Sequence, residues 1–293
     1  MKLSLSRSLH KARPLHWLAK RTPPRWCYAA ELAGIALALA LYPHAQRSVR
    51  PLKRALGQRH DATTVRRKTR AHLLYRRWQN HLETAWKNWA WRADEFVRIE
   101  GAENLRVALS EGRGAVLLSG HYYGFDRLVD PILAQRGYPV SRWANPLESE
   151  SIEERWGRGD FAKWEIIDFR GDFWHHAQSL LAAREHLKKN RAVHLSVRGQ
   201  AEGSPEARVE NNYRSFFLEP RALALVEALG APVLPCFSVP DRQGSVVIRI
   251  YSAVAPRKKA IMDSFGALYS QHLNEHPEFT RIWRRVMRGD SWW

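Results

Sequence analysis

The chain has little sulfur, little acid at its start and no long apolar run. Its two cysteines, Cys27 and Cys236, are too few and too far apart for a disulfide framework or a cysteine zinc site, and a reducing, cytoplasm-facing setting is expected. The longest apolar stretch, residues 26–42 (WCYAAELAGIALALALY), is interrupted by Glu31 and stopped by Pro43. It falls short of the roughly 20 apolar residues that a spanning helix needs. Internal repeats and low-complexity tracts are missing too, which excludes solenoids and fibrous arrays. Acidic residues are scarce at one end only: the first 80 residues hold 18 Lys and Arg against Glu31 and Asp61, whereas the remaining 213 hold 29 against 27. The formal charge of +18 therefore belongs to the N-terminal part, and the body is nearly neutral. A basic segment beside an apolar helix is what anionic headgroups attract, at roughly 1 kcal/mol per Lys or Arg near the surface. Charge alone would suit nucleic acid equally, and the apolar segment decides for a lipid surface. The residues that follow it, Pro43, His44 and Ala45, make a poor signal-peptide cleavage site. The segment is expected to lie in or dip into a bilayer, the alternative being a helix buried against the globular body.

What is present suits one large domain. Hydrophobic residues make up 45% of the chain and tryptophans number 13, enough to bury a substantial core. Residues 46–70 read as a basic connector. Over 64–96, Leu74, Trp78, Leu82, Trp86 and Trp89 recur at spacings of three and four, a helical stripe that packs on the body or forms a membrane belt. Strands are expected at 114–119, 138–144, 164–169, 192–197, 232–239 and 245–251. Helices are expected at 125–135, 149–156, 174–189, 220–229 and 262–274, with a long polar loop over 199–214. The alternation predicts an α/β fold, a mixed, mostly parallel sheet flanked by helices. The domain reading is a basic membrane-associating segment over 1–60 and a globular domain over 61–293.

The segment with chemical content is Gly120-His121-Tyr122-Tyr123-Gly124-Phe125-Asp126, at the end of one predicted strand and the start of a helix. Across such a turn the Asp126 carboxylate can orient the His121 imidazole and leave its other nitrogen as a base. A base of this kind accelerates attack by a hydroxyl by roughly 10²–10⁴-fold. Backbone N–H groups near Gly120 or Gly124 are candidate oxyanion donors. The pair His175-His176 lacks a third ligand at recognisable spacing, so no metal is expected.

Residues 99–126 (IEGAENLRVALSEGRGAVLLSGHYYGFD) resemble the first motif block of the bacterial lipid A biosynthesis acyltransferase family, part of the lysophospholipid acyltransferase superfamily. Ser141-Arg142-Trp143-Ala144-Asn145-Pro146 is similar to the family's R-x-x-x-N-P segment, with Arg155 and Gly157 following in order. Further blocks, Ser215-Phe216-Phe217, residues 222–235 and His276-Pro277-Glu278 with Trp283-Arg284-Arg285, extend the resemblance over most of the chain. The resemblance implies transfer of a fatty acyl group from a thioester of acyl carrier protein or coenzyme A to a hydroxyl of a phospholipid or glycolipid precursor. No further cofactor and no nucleic-acid partner are implied. It also implies His121 as general base with Asp126, and substrate binding by Arg142, Asn145, Arg155, Arg158, Arg198 and Glu219. The implied place is the cytoplasmic face of the bacterial inner membrane, held peripherally or by one helix, against an anionic surface.

The chain departs from the pattern in places. Asp126 stands where lipid A enzymes more often have Glu, Arg198-Gly199-Gln200 where they have Asp-Gln, and Ser215-Phe216-Phe217-Leu218 where they have Pro-Phe-Phe-Gly. These positions bear on the acceptor more than on the reaction. Two other functions remain open on sequence: transfer to the amine of an aminolipid, and non-catalytic binding of lipid or nucleic acid by a basic protein on a degenerate acyltransferase scaffold.

Overall fold

Along a strand successive side chains point to opposite faces, and here both faces are apolar, so helices must cover both. A computed structural model describes residues 22, 24–41, 50–89, 93–121, 124–144, 164–168, 173–213, 215–241 and 244–280. In chain order the strands are β1 (Val97–Glu100), β2 (Ala115–Gly120), β3 (Val140–Ala144), β4 (Trp164–Asp168), β5 (Ala192–Val197), β6 (Gly199–Gln200), β7 (Arg208–Val209), β8 (Phe216–Leu218), β9 (Val233–Pro240) and β10 (Val246–Ile250). The main sheet runs β1-β10-β9-β2-β5-β3-β4, and every neighbouring pair is parallel except β10 with β9. The expected mostly parallel α/β sheet is therefore found.

The helices are α1 (Pro24–Leu41), α2 (Arg50–Gly57), α3 (Ala62–Trp89), α4 (Ala102–Ser110), α5 (Val129–Gln135), α6 (Phe173–Lys188), α7 (Pro220–Leu229) and α8 (Ala267–Glu275). A helical turn over Lys258–Ile261 and a π turn over Met262–Gly266 lead into α8. One core layer joins Val116, Leu118, Val193 and Val233 of the sheet to α2, α6, α7 and α8. The other joins Ala115, Leu117, Leu234 and Ile248 to α3, α4 and α5. Trp78, fully buried in that second layer, donates its indole N–H to the Gly244 carbonyl at 2.7 Å.

Two stretches differ from the sequence reading. Within the basic connector, α2 turns Leu52, Ala55 and Leu56 into the core, an apolar face that the intervening Lys53 and Arg54 disguise. The polar loop over 199–214 contains β6 and β7, which pair with β8 in a small antiparallel sheet. Strands of two residues are too short to show a period. The expected helix over 149–156 lies outside the described residues.

The apolar helix α1 docks on α3. Its Tyr28 ring meets Trp78 edge-on at 5.3 Å, and Glu31 pairs with Arg77 at 2.8 Å. Trp26 and Leu32 remain exposed on it. Among the described residues no helix is long and apolar enough to cross a membrane.

Candidate active site

β2 sits in the middle of the sheet and ends at Gly120, where a Cβ would come within 2.6 Å of the Tyr269 ring on α8. The chain then leaves the sheet in a turn held by other backbone. His121 N–H donates to Val197 O at the end of β5, Gly124 N–H to Phe279 O, and Phe125 N–H to Ser238 O in β9, each at 2.8 Å. The Tyr75 hydroxyl on α3 donates to the Gly124 carbonyl. Gly124 has φ +59, and a side chain there would place Cβ 1.6 Å from Ser238 O, so only glycine fits. A short 3₁₀ turn, Asp126–Leu128, then opens α5. Of the candidate oxyanion donors near Gly120 and Gly124, the Gly124 N–H is thus engaged by Phe279.

This turn brings His121 and Asp126 together, both buried, with Nδ1 3.7 Å from Oδ2. That is ion-pair reach and slightly long for a hydrogen bond. Beneath them lies a polar ladder across three adjacent strands. Ser119 and Ser196 are register partners in β2 and β5, His194 precedes Ser196 on the same face, and Arg142 of β3 is the register partner of His194. Asp126 and Asp130, one helical turn apart, cap this ladder from above.

Arg142 is 1% exposed, its Nη1 3.2 Å from Asp130 Oδ2 and 3.3 Å from the Asp126 carbonyl, and its Nη2 3.7 Å from Asp126 Oδ2. Expected among substrate-binding residues, it faces two carboxylates beneath the dyad. His194 Nδ1 lies 2.6 Å from Asp130 Oδ1 and Nε2 lies 2.8 Å from Ser119 Oγ. The chain continues from Ser119 Oγ to Ser196 Oγ at 2.9 Å and from Ser196 Oγ to Asp126 Oδ2 at 3.4 Å.

Each hydroxyl has one hydrogen to give. If Ser196 donates to Asp126, Ser119 must donate to Ser196, and His194 Nε2 must then donate to Ser119. His194 Nδ1 then faces Asp130 Oδ1 at 2.6 Å and the Arg142 Nη1 donor at 2.9 Å. The array Ser119–His194–Asp130 has the distances of a nucleophilic triad, but Ser119 is 2% exposed and His194 0%, so no substrate carbonyl reaches the hydroxyl. The cysteines offer no nucleophile either: burial pushes the Cys27 thiol up to about 11, Glu31 adding to it, and burial pushes Cys236 higher still.

Arg198 directly follows Val197, whose carbonyl holds His121, and its own carbonyl accepts the Glu219 N–H at 2.9 Å. The structure thus gathers His121, Asp126 and Arg142, and sets Arg198 and Glu219 at the same corner. Asn145, Arg155 and Arg158 lie outside the described residues, as do Tyr122 and Tyr123. Ser119, Asp130, His194 and Ser196 were not singled out from sequence. The signal for them is the repeated AV-x-LS of residues 115–119 and 192–196, with a histidine inside an apolar strand. Among the described residues no three His, Cys, Asp or Glu side chains gather into a metal site. No known family model matches the chain, and no characterised protein matches it in sequence.

Proposed function

We propose that this protein is an acyltransferase at a membrane surface. It moves a fatty acyl group from a thioester of acyl carrier protein or coenzyme A to a hydroxyl of a phospholipid or glycolipid precursor. The observation that carries the reading is the His121–Asp126 pair on a rigid turn at the carboxyl end of the central strand, over a buried floor of hydrogen-bonded polar side chains. Ligands of open α/β sheets bind at this edge. Asp126 orients the His121 imidazole, which removes the proton of the acceptor hydroxyl as its oxygen attacks the thioester carbonyl. The tetrahedral intermediate collapses with loss of the C–S bond, and the thiolate takes the proton back from the imidazolium. The ester and the free thiol leave without an acyl-enzyme. Arg198 and Glu219, beside the turn, are the described residues best placed to meet substrate.

The membrane part of the proposal rests on the concentration of positive charge in the first 80 residues and on exposed Trp26 and Leu32 of α1. Apolar burial and charge together suffice for peripheral attachment, at the cytoplasmic face of a bacterial inner membrane. Comparative lipid mass spectrometry of cells carrying the wild-type gene, the His121→Ala gene or neither tests the function. One lipid acylated only with the wild-type gene is expected. The same lipid profile in all three would overturn the reading. Sedimentation of the full chain with anionic but not neutral vesicles is expected for the attachment.

A further inference from the structure

Between α2 and the first turns of α3 lies a cavity of about 660 Å³. We propose that it binds a phosphate-bearing anion, independently of any acyl-transfer chemistry. Its wall carries Lys53 from α2 and Arg66 and Arg70 from α3, with His60 from the connection between them. Arg66 and Arg70 are four residues apart on one helix face, a like-charge spacing that destabilises a helix. Among the described residues neither they nor Lys53 has a carboxylate partner. Other cations of α3 do have one: Lys68 pairs with Glu278 at 3.0 Å and Arg77 with Glu31 at 2.8 Å.

The acid nearest in sequence, Asp61, is committed elsewhere. It accepts the Thr63 and Thr64 N–H groups at 2.8 and 3.0 Å and the Thr64 hydroxyl at 2.8 Å, capping α3. A second observation points the same way. Thr69, 3% exposed, lines the same cavity, and its Oγ1 has no hydrogen-bond partner among the described residues. A buried hydroxyl without a partner costs stability unless a ligand supplies one. Three unpaired cations and one waiting hydroxyl match the acceptor oxygens of a phosphate group. The volume, within the range of small-molecule sites, leaves room for an organic remainder against Val65.

The source is either a soluble organophosphate or an anionic lipid headgroup, and both arms are measured on the full chain. Calorimetric titration with glycerol 3-phosphate tests the first, and binding to phosphatidylglycerol vesicles, with phosphatidylcholine as blank, tests the second. At least one probe is expected to bind the wild type. The triple variant Lys53→Ser, Arg66→Ser, Arg70→Ser should weaken that binding tenfold or more. Thr69→Val, nearly isosteric and fold-preserving, should weaken it about threefold. A charge-matched control, Arg106→Ser, Lys189→Ser, Arg257→Ser, should bind within twofold of wild type. Retention only on vesicles identifies a headgroup site, and retention of glycerol 3-phosphate a soluble one. The proposal is overturned if neither probe binds, if the control loses as much as the triple variant, or if Thr69→Val binds like wild type. It is likewise overturned if only single-stranded DNA or an acidic protein is retained.

Discussion

The floor beneath His121 and the cavity beside α2 are both rich in cationic side chains, yet they treat charge in opposite ways. In the floor, Arg142 and His194 meet Asp126 and Asp130 at hydrogen-bonding or ion-pair distance with almost no solvent contact. In the cavity, Lys53, Arg66 and Arg70 share one wall with no acid among the described residues that line it. Buried charge has to be neutralised inside the protein, because the desolvation of an unpaired ion amounts to several kcal/mol. Charge beside an open cavity keeps its water and can wait for a ligand. The first arrangement spends its interactions on position, and the second keeps them for recognition.

The largest effect expected is on the chemistry that the floor supports. On the proposed function, His121→Ala should lower acyl transfer by roughly 10²–10⁴-fold. Near wild-type turnover in the purified variant would remove the mechanism. Next comes Arg142→Ala, which takes the guanidinium away from two buried carboxylates and should cost about 3–5 kcal/mol in urea unfolding. Arg142→Lys should recover part of that. An unchanged unfolding midpoint in Arg142→Ala would show that Arg142 does not stabilise the two carboxylates as described.

A third effect contrasts two buried histidines. His194 has a carboxylate at 2.6 Å, whereas His272 packs on Phe237 and bonds the Tyr251 hydroxyl at 2.9 Å. Burial, aided by Arg249, pushes His272 down to about 4, so it is neutral in the fold and takes up a proton more readily when unfolded. Its contribution is complete above pH 6.5 and is lost as pH falls through that value towards 4. Between pH 8 and pH 5 this amounts to about 2 kcal/mol. His272→Gln should flatten that slope. Glu278, whose burial is outweighed by His276 and Lys68 so that its carboxyl lies below the usual range, adds a loss of the same sign at lower pH. The smallest effect is at the cavity: Arg70→Gln should stabilise the protein by a few tenths of a kcal/mol at low salt. Destabilisation there would mean that the arginine is already paired.

The sequence carried the sheet well, because its strands are short apolar runs between glycines and polar turns, and β5 falls on residues 192–197 as read. It carried the dyad through the Gly120–Asp126 spacing. It did not carry the floor. Each member looks ordinary in its own segment, and only the parallel register of β2, β5 and β3 puts Ser119, Ser196, His194 and Arg142 side by side. Nor did it carry the cavity, since Lys53, Arg66 and Arg70 read as one more stretch of a basic arm until α2 folds back on α3.

Gly124 sets a constraint on descent as well as on shape. The space where its side chain would stand is filled by the Ser238 carbonyl of β9, so no substitution at this position is a single neutral step. A lineage that replaced the glycine would have to displace β9 in the same move, and with it the Phe125 N–H anchor that seats Asp126. The glycine two places before Asp126 cannot drift while the strand stays where it is.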